Sequence, residues 1–122
     1  MPTRRTPEEF AQDRKEHLTG RLIRVKDVGQ RGAFYWRCEA ATLRPEGQYP
    51  KVLVLERWRL ERIEGEPLHP GTEQVGDVVY RFGYYTVARN GRWWWGQSAL
   101  MVRAEELEPL LAKARAEGTL LT

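Results

Sequence analysis

Arginine is interleaved with aromatic residues through the stretch 78–101, VVYRFGYYTVARNGRWWWGQSALM. Arg81, Tyr85, Arg89, Arg92 and Trp94 are the residues there with most to offer a ligand, and Arg57 and Arg59 extend the set from an earlier segment. A guanidinium is a permanent charge with a planar fork of donors that matches phosphate. An aromatic ring stacks on a nucleobase, each stack being worth roughly 1–3 kcal/mol. Placed together on one sheet face, the two residue types would bind single-stranded nucleic acid. The competing reading is an ordinary outer sheet face, with arginine stems lying across exposed rings.

Reactive groups are otherwise few. His17 falls in a polar helical segment and reads as solvated. His69 lies in the loop Leu68-His69-Pro70-Gly71. Cys38 falls on an apolar face and reads as a small buried hydrophobe, because a nucleophilic thiol needs a base beside it. Two histidines far apart in the chain do not form a metal-binding pattern. Glu39, Glu56 and Asp77 could supply acids. Strict alternation places Glu56 among core residues, where a carboxylate must be paired; a bulge that turns it outward is the expected solution. No phosphate-binding glycine loop, dinucleotide fingerprint or hydrolase motif occurs, and no cofactor is implied.

The elements that must position these residues follow from local signals. Asn90-Gly91 between two β-prone runs predicts a hairpin with a two-residue type I′ turn. That turn sets Tyr85 opposite Gly96, Thr86 opposite Trp95, Val87 opposite Trp94 and Arg89 opposite Arg92. One face then carries Tyr80, Phe82, Tyr84, Thr86, Trp93 and Trp95 and is expected to meet the core. The other carries Arg81, Gly83, Tyr85, Val87, Arg89, Arg92 and Trp94, with Tyr85 covering the bare Gly96. A bulge at Gly83 or Gly96 would exchange the faces beyond it.

Thr6-Pro7-Glu8-Glu9 starts a helix, with Thr6 as cap and Glu9 completing a capping box, and Gly20 ends it after Leu18. Arg21–Val28 reads as a strand. Ala33–Ala41 follows with Phe34, Trp36, Cys38 and Ala40 on the core side. Arg44–Pro50 reads as a loop. Lys51–Ile63 reads as a strand rather than a helix on its Val-Leu-Val-Leu opening, with a bulge near Glu56. Glu64–Asp77 is a loop rich in Gly and Pro. Arg103–Glu117 gives a second helix, stopped by Gly118, and Pro109 argues for a start close to Glu106.

The chain has 122 residues and a formal net charge of +3. Residues 1–62 hold fourteen Lys/Arg against nine Asp/Glu, whereas residues 63–122 hold six against eight, so the basic excess is in the first half. A single cysteine excludes an internal disulfide and a cysteine-rich zinc site. No apolar run is long enough for a membrane span, and no secretory leader precedes the first helix. A cytoplasmic protein without membrane association is the expectation.

These signals predict one α+β domain over 1–122: an N-terminal helix in 1–20, a sheet in 21–102 and a C-terminal helix in 103–118. The sheet is expected to be mostly antiparallel, of about five strands in sequence order, either open or curled into a half-barrel. The leading functional expectation is a non-enzymatic module binding single-stranded nucleic acid through the arginine–aromatic face. A second is a small-molecule-binding protein or enzyme, with His69, Tyr84, Trp93 and Trp95 around an aromatic-lined pocket. A third is a homodimeric interaction protein that pairs through exposed aromatics.

Overall fold

The computed structural model describes residues 5–26, 32–46, 50–65, 73–96 and 104–121, the side chains of 104–106 excepted. The first helix, α1 (Pro7–Leu18), is fixed at its start by reciprocal bonds. Thr6 Oγ1 accepts from the Glu9 amide at 3.1 Å, and Glu9 Oε1 accepts from the Thr6 amide at 3.1 Å. Gly20 leaves the helix at φ +88°, a left-handed conformation that glycine takes without strain. The helix is poor in apolar residues, but Phe10, Ala11 and Leu18 are all buried. Docking rather than propensity therefore holds it, since burying a large apolar side chain gives about 1.5–3 kcal/mol and an isolated helix this short is marginal.

Five strands follow: β1 (Leu22–Lys26), β2 (Ala33–Glu46), β3 (Lys51–Glu64), β4 (Val78–Val87) and β5 (Trp93–Trp95), then α2 (Ala104–Ala116). The strands pair antiparallel in sequence order in one sheet curled into a half-barrel, so the predicted α+β meander is found. The turns expected at 29–32 and the sheet residues expected beyond Gly96 lie largely outside the described residues.

The alternation differs from the expected one at three places, two in the β2–β3 ladder and one in the hairpin. In the ladder, Tyr35 pairs with Arg62 and Trp36 with Leu60, which leaves Glu61 extra in β3. Cys38 pairs with Trp58 and Ala40 with Arg57, so Glu39 is an extra residue in β2. No bulge lies at Glu56, which pairs in register with Ala41. Past Glu39, Ala41 and Leu43 take the inner side and pair with Glu56 and Val54. Ala40 is displaced from the core set. The inner core comprises Phe10, Ala11, Leu18, Cys38, Ala41, Leu43, Val52, Val54 and Tyr85.

The hairpin differs too. Val87 pairs with Trp93, Thr86 with Trp94 and Tyr85 with Trp95, one residue out of the expected register. The loop is three residues long: the Ala88 amide donates to Arg92 O and the Gly91 amide to Ala88 O, both at 2.9 Å. Only Gly91 takes positive φ, at +82°. Asn90 avoids the left-handed region, and its Oδ1 accepts from the Arg92 amide at 3.0 Å. A type I turn with a glycine bulge thus replaces the type I′ turn. Because side chains alternate, the slip moves Trp93 and Trp95 to the side of Tyr85 and leaves Trp94 with Tyr84 and Thr86. Tyr80, Phe82 and Tyr84 therefore form the outer face, not the core face.

The new register produces two aromatic–glycine interlocks. The Trp95 ring lies over Gly83, where an added Cβ would come within 2.1 Å of it. The Tyr84 ring lies over Gly96, where a Cβ would come within 2.2 Å. Tyr84, not Tyr85, covers Gly96.

Helix α2 packs on the outer face over β2, with Leu110 and Ala114 buried. Thr42 and Thr119 share a hydroxyl bond of 2.8 Å, and Arg57 Nη1 donates to the Gly118 and Thr119 carbonyls at 2.6 and 3.1 Å. The helix starts at Ala104, earlier than Pro109 suggests, so the proline sits inside it and forgoes one backbone bond. β2 runs on to Glu46 through residues expected to be loop. Its pairing with β1 ends at Arg37, and the Leu43 carbonyl on the far edge accepts from Lys113 Nζ at 2.8 Å. Pro45, two residues on, turns its missing N–H to that same edge, where no ladder bond is lost.

Gly83→Ala is expected to cost about 1–3 kcal/mol through overpacking against Trp95. The loss should shrink in a Trp95→Val background, as measured by urea unfolding of the four chains of the cycle.

Candidate functional site

Glu56 sits mid-way along β3, with Ala41 and Arg81 as its cross-strand neighbours. It is 0% exposed. Its Oε1 accepts from Trp58 Nε1 at 3.1 Å, and Arg81 Nη1 lies 3.2 Å from Oε2. Among the described residues Oε2 receives no hydrogen bond of good geometry, so the Arg81 contact acts as a charge pair. The Arg81 guanidinium is held between two rings, 4.0 Å from the Trp95 centroid and 5.3 Å from that of Trp58. Cation–π contact of this kind contributes on the order of 0.5–2 kcal/mol. Cys38 lies against this knot. Burial, with the Glu56 charge adding to it, pushes its thiol up to about 12. The thiolate is therefore scarce at neutral pH, and Cys38 behaves as the buried hydrophobe its sequence position suggests.

The residues read as a nucleic-acid face are spread over several environments. Arg81 and Tyr85 are on the inner side. Tyr85 is 4% exposed, with its ring 5.0 Å from Phe10 and 5.1 Å from Trp95 and its hydroxyl accepting from Arg14 Nε at 3.1 Å. Arg57 and Arg59 both bond Glu39, at 3.1 and 2.8 Å. Arg59 also reaches the Gly76 carbonyl at 2.9 Å. The hydrogen bond from Arg59, joined by that from Arg57, holds the Glu39 carboxyl below its ordinary range. Arg89 and Arg92 are exposed around the hairpin turn, and Trp94 is on the outer face.

The pocket set does not converge either. Tyr84 lies on the opposite side of the sheet from Trp93 and Trp95, and His69 lies outside the described residues. Among the described residues no group of three His, Cys, Asp or Glu side chains is placed to hold a metal ion, and no helix is long and apolar enough to cross a membrane.

Two clusters come from the tertiary arrangement. On the outer face Tyr80, Phe82 and Trp94 are 44%, 36% and 50% exposed on adjacent strands, and the Tyr80 hydroxyl accepts from the Leu121 amide at 3.2 Å just past α2. On the inner side α1 brings in arginines absent from the sequence-derived set. Arg5 lies over the Phe10 ring at 5.1 Å and Arg14 over the Tyr85 ring at 5.1 Å, while Trp93 stacks on Phe10 at 4.5 Å. The Phe10–Arg14 spacing on one helix face is the local signal that points to this cluster.

Replacing Arg81 with Leu strands a buried carboxylate and is expected to cost about 3–5 kcal/mol, with the Arg81→Leu/Glu56→Leu double variant losing less. Equal losses in denaturant unfolding would contradict a paired charge at this position. Glu39 titrates lower in the folded chain than in the unfolded one. Its contribution is thus present above the unfolded carboxyl value of about 4.3 and is lost as pH falls through the folded value. Glu39→Gln should lower stability at neutral pH and flatten the acid limb of the urea midpoint below about pH 4.3.

Comparison with protein-family models, with curated proteins and with solved structures finds no match for this chain.

Proposed function

We propose that the protein is a small binding module that takes single-stranded nucleic acid on its outer sheet face. The observation that carries this reading is the exposure of three aromatic rings, Tyr80, Phe82 and Trp94, on one antiparallel surface. Large rings left in water on a sheet are costly unless something covers them. Tyr80 and Phe82 are two residues apart on β4, and Trp94 stands on β5 beyond Thr86. Unpaired bases can stack on such a platform whatever their identity, because every base has a π-face. Arg89 and Arg92, exposed around the turn next to Trp94, supply positive charge for phosphates. The site residues of this proposal are therefore Tyr80, Phe82, Trp94, Arg89 and Arg92. Arg57, Arg59, Arg81 and Tyr85 support the fold beneath it.

The physics of base stacking gives a direct assay. Tryptophan fluorescence should be quenched saturably by mixed-sequence single-stranded DNA and RNA at low salt, and affinity should fall as salt rises. Trp94→Ala and Phe82→Ala should each weaken binding by about 1–3 kcal/mol, with the unfolding midpoint nearly unchanged. Absence of quenching at low salt would overturn the proposal. A dimer that dissociates in Trp94→Ala would then give the strip to self-association.

A further inference from the structure

We propose that the groove beside α1 is an anion site for a phosphomonoester group, with Arg14 as its principal ligand. The groove has a volume of about 260 Å³ and is lined by Arg5, Phe10, Asp13, Arg14 and His17. Arg14 is half-buried and unusually well held. Its Nε donates to the Tyr85 hydroxyl at 3.1 Å and its guanidinium lies 5.1 Å from the centre of the Tyr85 ring. Tyr85 is itself wedged between Phe10 and Trp95. The guanidinium plane is therefore set in advance, and one of its donors is spent on a neutral acceptor.

Charge balance separates Arg14 from five of the sheet arginines, and burial separates it from Arg24, which also donates to a phenol (Tyr35, 3.1 Å) but is exposed. Arg37, Arg44, Arg57, Arg59 and Arg81 each meet a carboxylate. Arg14 meets a phenol, and among the described residues no carboxylate is paired with it. Arg5 shares the groove and pairs with Asp13 at 3.2 Å, but both side chains are about half exposed, at 49% and 59%. Exposed pairs of this kind are weak, so an incoming anion displaces Asp13 at little cost. His17 adds a third donor on the same wall. A phosphomonoester carries nearly two charges at neutral pH and three acceptor oxygens, which suits an Arg14 fork with Arg5 and His17 beside it. A carboxylate offers one charge and two oxygens. The groove lies on the inner side of the sheet, away from Tyr80, Phe82 and Trp94, so this site does not rest on the proposed function.

Trp93 provides the reporter, because its Nε1–H donates to the Arg5 carbonyl at 3.4 Å and its ring stacks on Phe10. The ¹⁵N-labelled protein is titrated with inorganic phosphate, and with acetate at matched ionic strength, while the Trp93 indole and the α1 amides are followed by NMR. Phosphate should give saturable shifts that acetate does not. Arg14→Gln should weaken phosphate binding by about tenfold or more, Arg14→Lys less, since it keeps the charge without the fork. His17→Asn, at an exposed position, should weaken it about two- to threefold without moving the unfolding midpoint. Equal shifts with acetate, or unchanged affinity in folded Arg14→Gln, would overturn the proposal. Should Arg14→Gln not fold, unchanged affinity in both Arg5→Gln and His17→Asn would do so. A 5′-phosphorylated trinucleotide compared with its 5′-hydroxyl twin identifies the source. Tenfold tighter binding than inorganic phosphate, lost with the terminal phosphate, assigns the end of a strand, and affinity equal to inorganic phosphate assigns a small free phosphoester.

Discussion

One extra residue in β2, Glu39, decides which way half of the sheet faces. Its carboxylate is gripped by Arg57 and Arg59, which alternate onto the same side of β3. Before the bulge Trp36 and Cys38 point inward; after it Ala41 and Leu43 do. Without the bulge the later part of β2 would present Thr42 to the inner core and turn Leu43 to the outer face under α2, since a one-residue slip inverts every side chain. Arg57 also holds the carbonyls at the end of α2. The same guanidinium thus sets the strand register and seats the closing helix, and the packing on both faces depends on it.

With the bulge in β2 rather than at Glu56, β3 keeps its alternation there and carries a carboxylate into the interior. Glu56 cannot turn outward when Val52 and Val54 on the same strand point inward. Desolvating a carboxylate costs several kcal/mol, which the Trp58 N–H, the Arg81 charge and two aromatic faces around that guanidinium offset. Each part requires the next. Trp95 can lie flat enough to carry Arg81 only because Gly83 has no side chain beneath the ring. The residues most suggestive of ligand binding in the linear chain, Arg81 and Tyr85, are consumed in building this interior.

What is left for partners follows from how unevenly the helices cover the sheet. α1 lies over the inner face and leaves a basic groove along its flank. α2 covers the outer face over β2, so the rings on β4 and β5 stay in water. Both candidate surfaces are by-products of a sheet wider than either helix. They differ in chemistry because β4 alternates Arg81, Gly83 and Tyr85 inward with Tyr80, Phe82 and Tyr84 outward.

The local code was readable without coordinates wherever a signal acts within a few residues. The capping box of Thr6 and Glu9, the stop at Gly20, the C-terminal helix before Gly118 and five strands in meander order are all of this kind. So is the burial of Cys38, which lies just ahead of the bulge. The candidate outer-face site was readable only in part, in Trp94, Arg89 and Arg92, because the placement of Tyr80 and Phe82 depends on parity. Asn90-Gly91 announces a hairpin equally well for a two- or a three-residue loop, and the choice was made by Tyr85, Trp93 and Trp95 packing together against Phe10. Whether the extra residue falls at Glu39 or at Glu56 was likewise decided by Arg57 and Arg59, far away in the chain. A period of two makes any such single-residue choice exchange inside for outside. Signals acting within a few residues therefore set which elements form and in what order they pair. Which face of each strand meets solvent was settled later, by packing between residues distant in the chain.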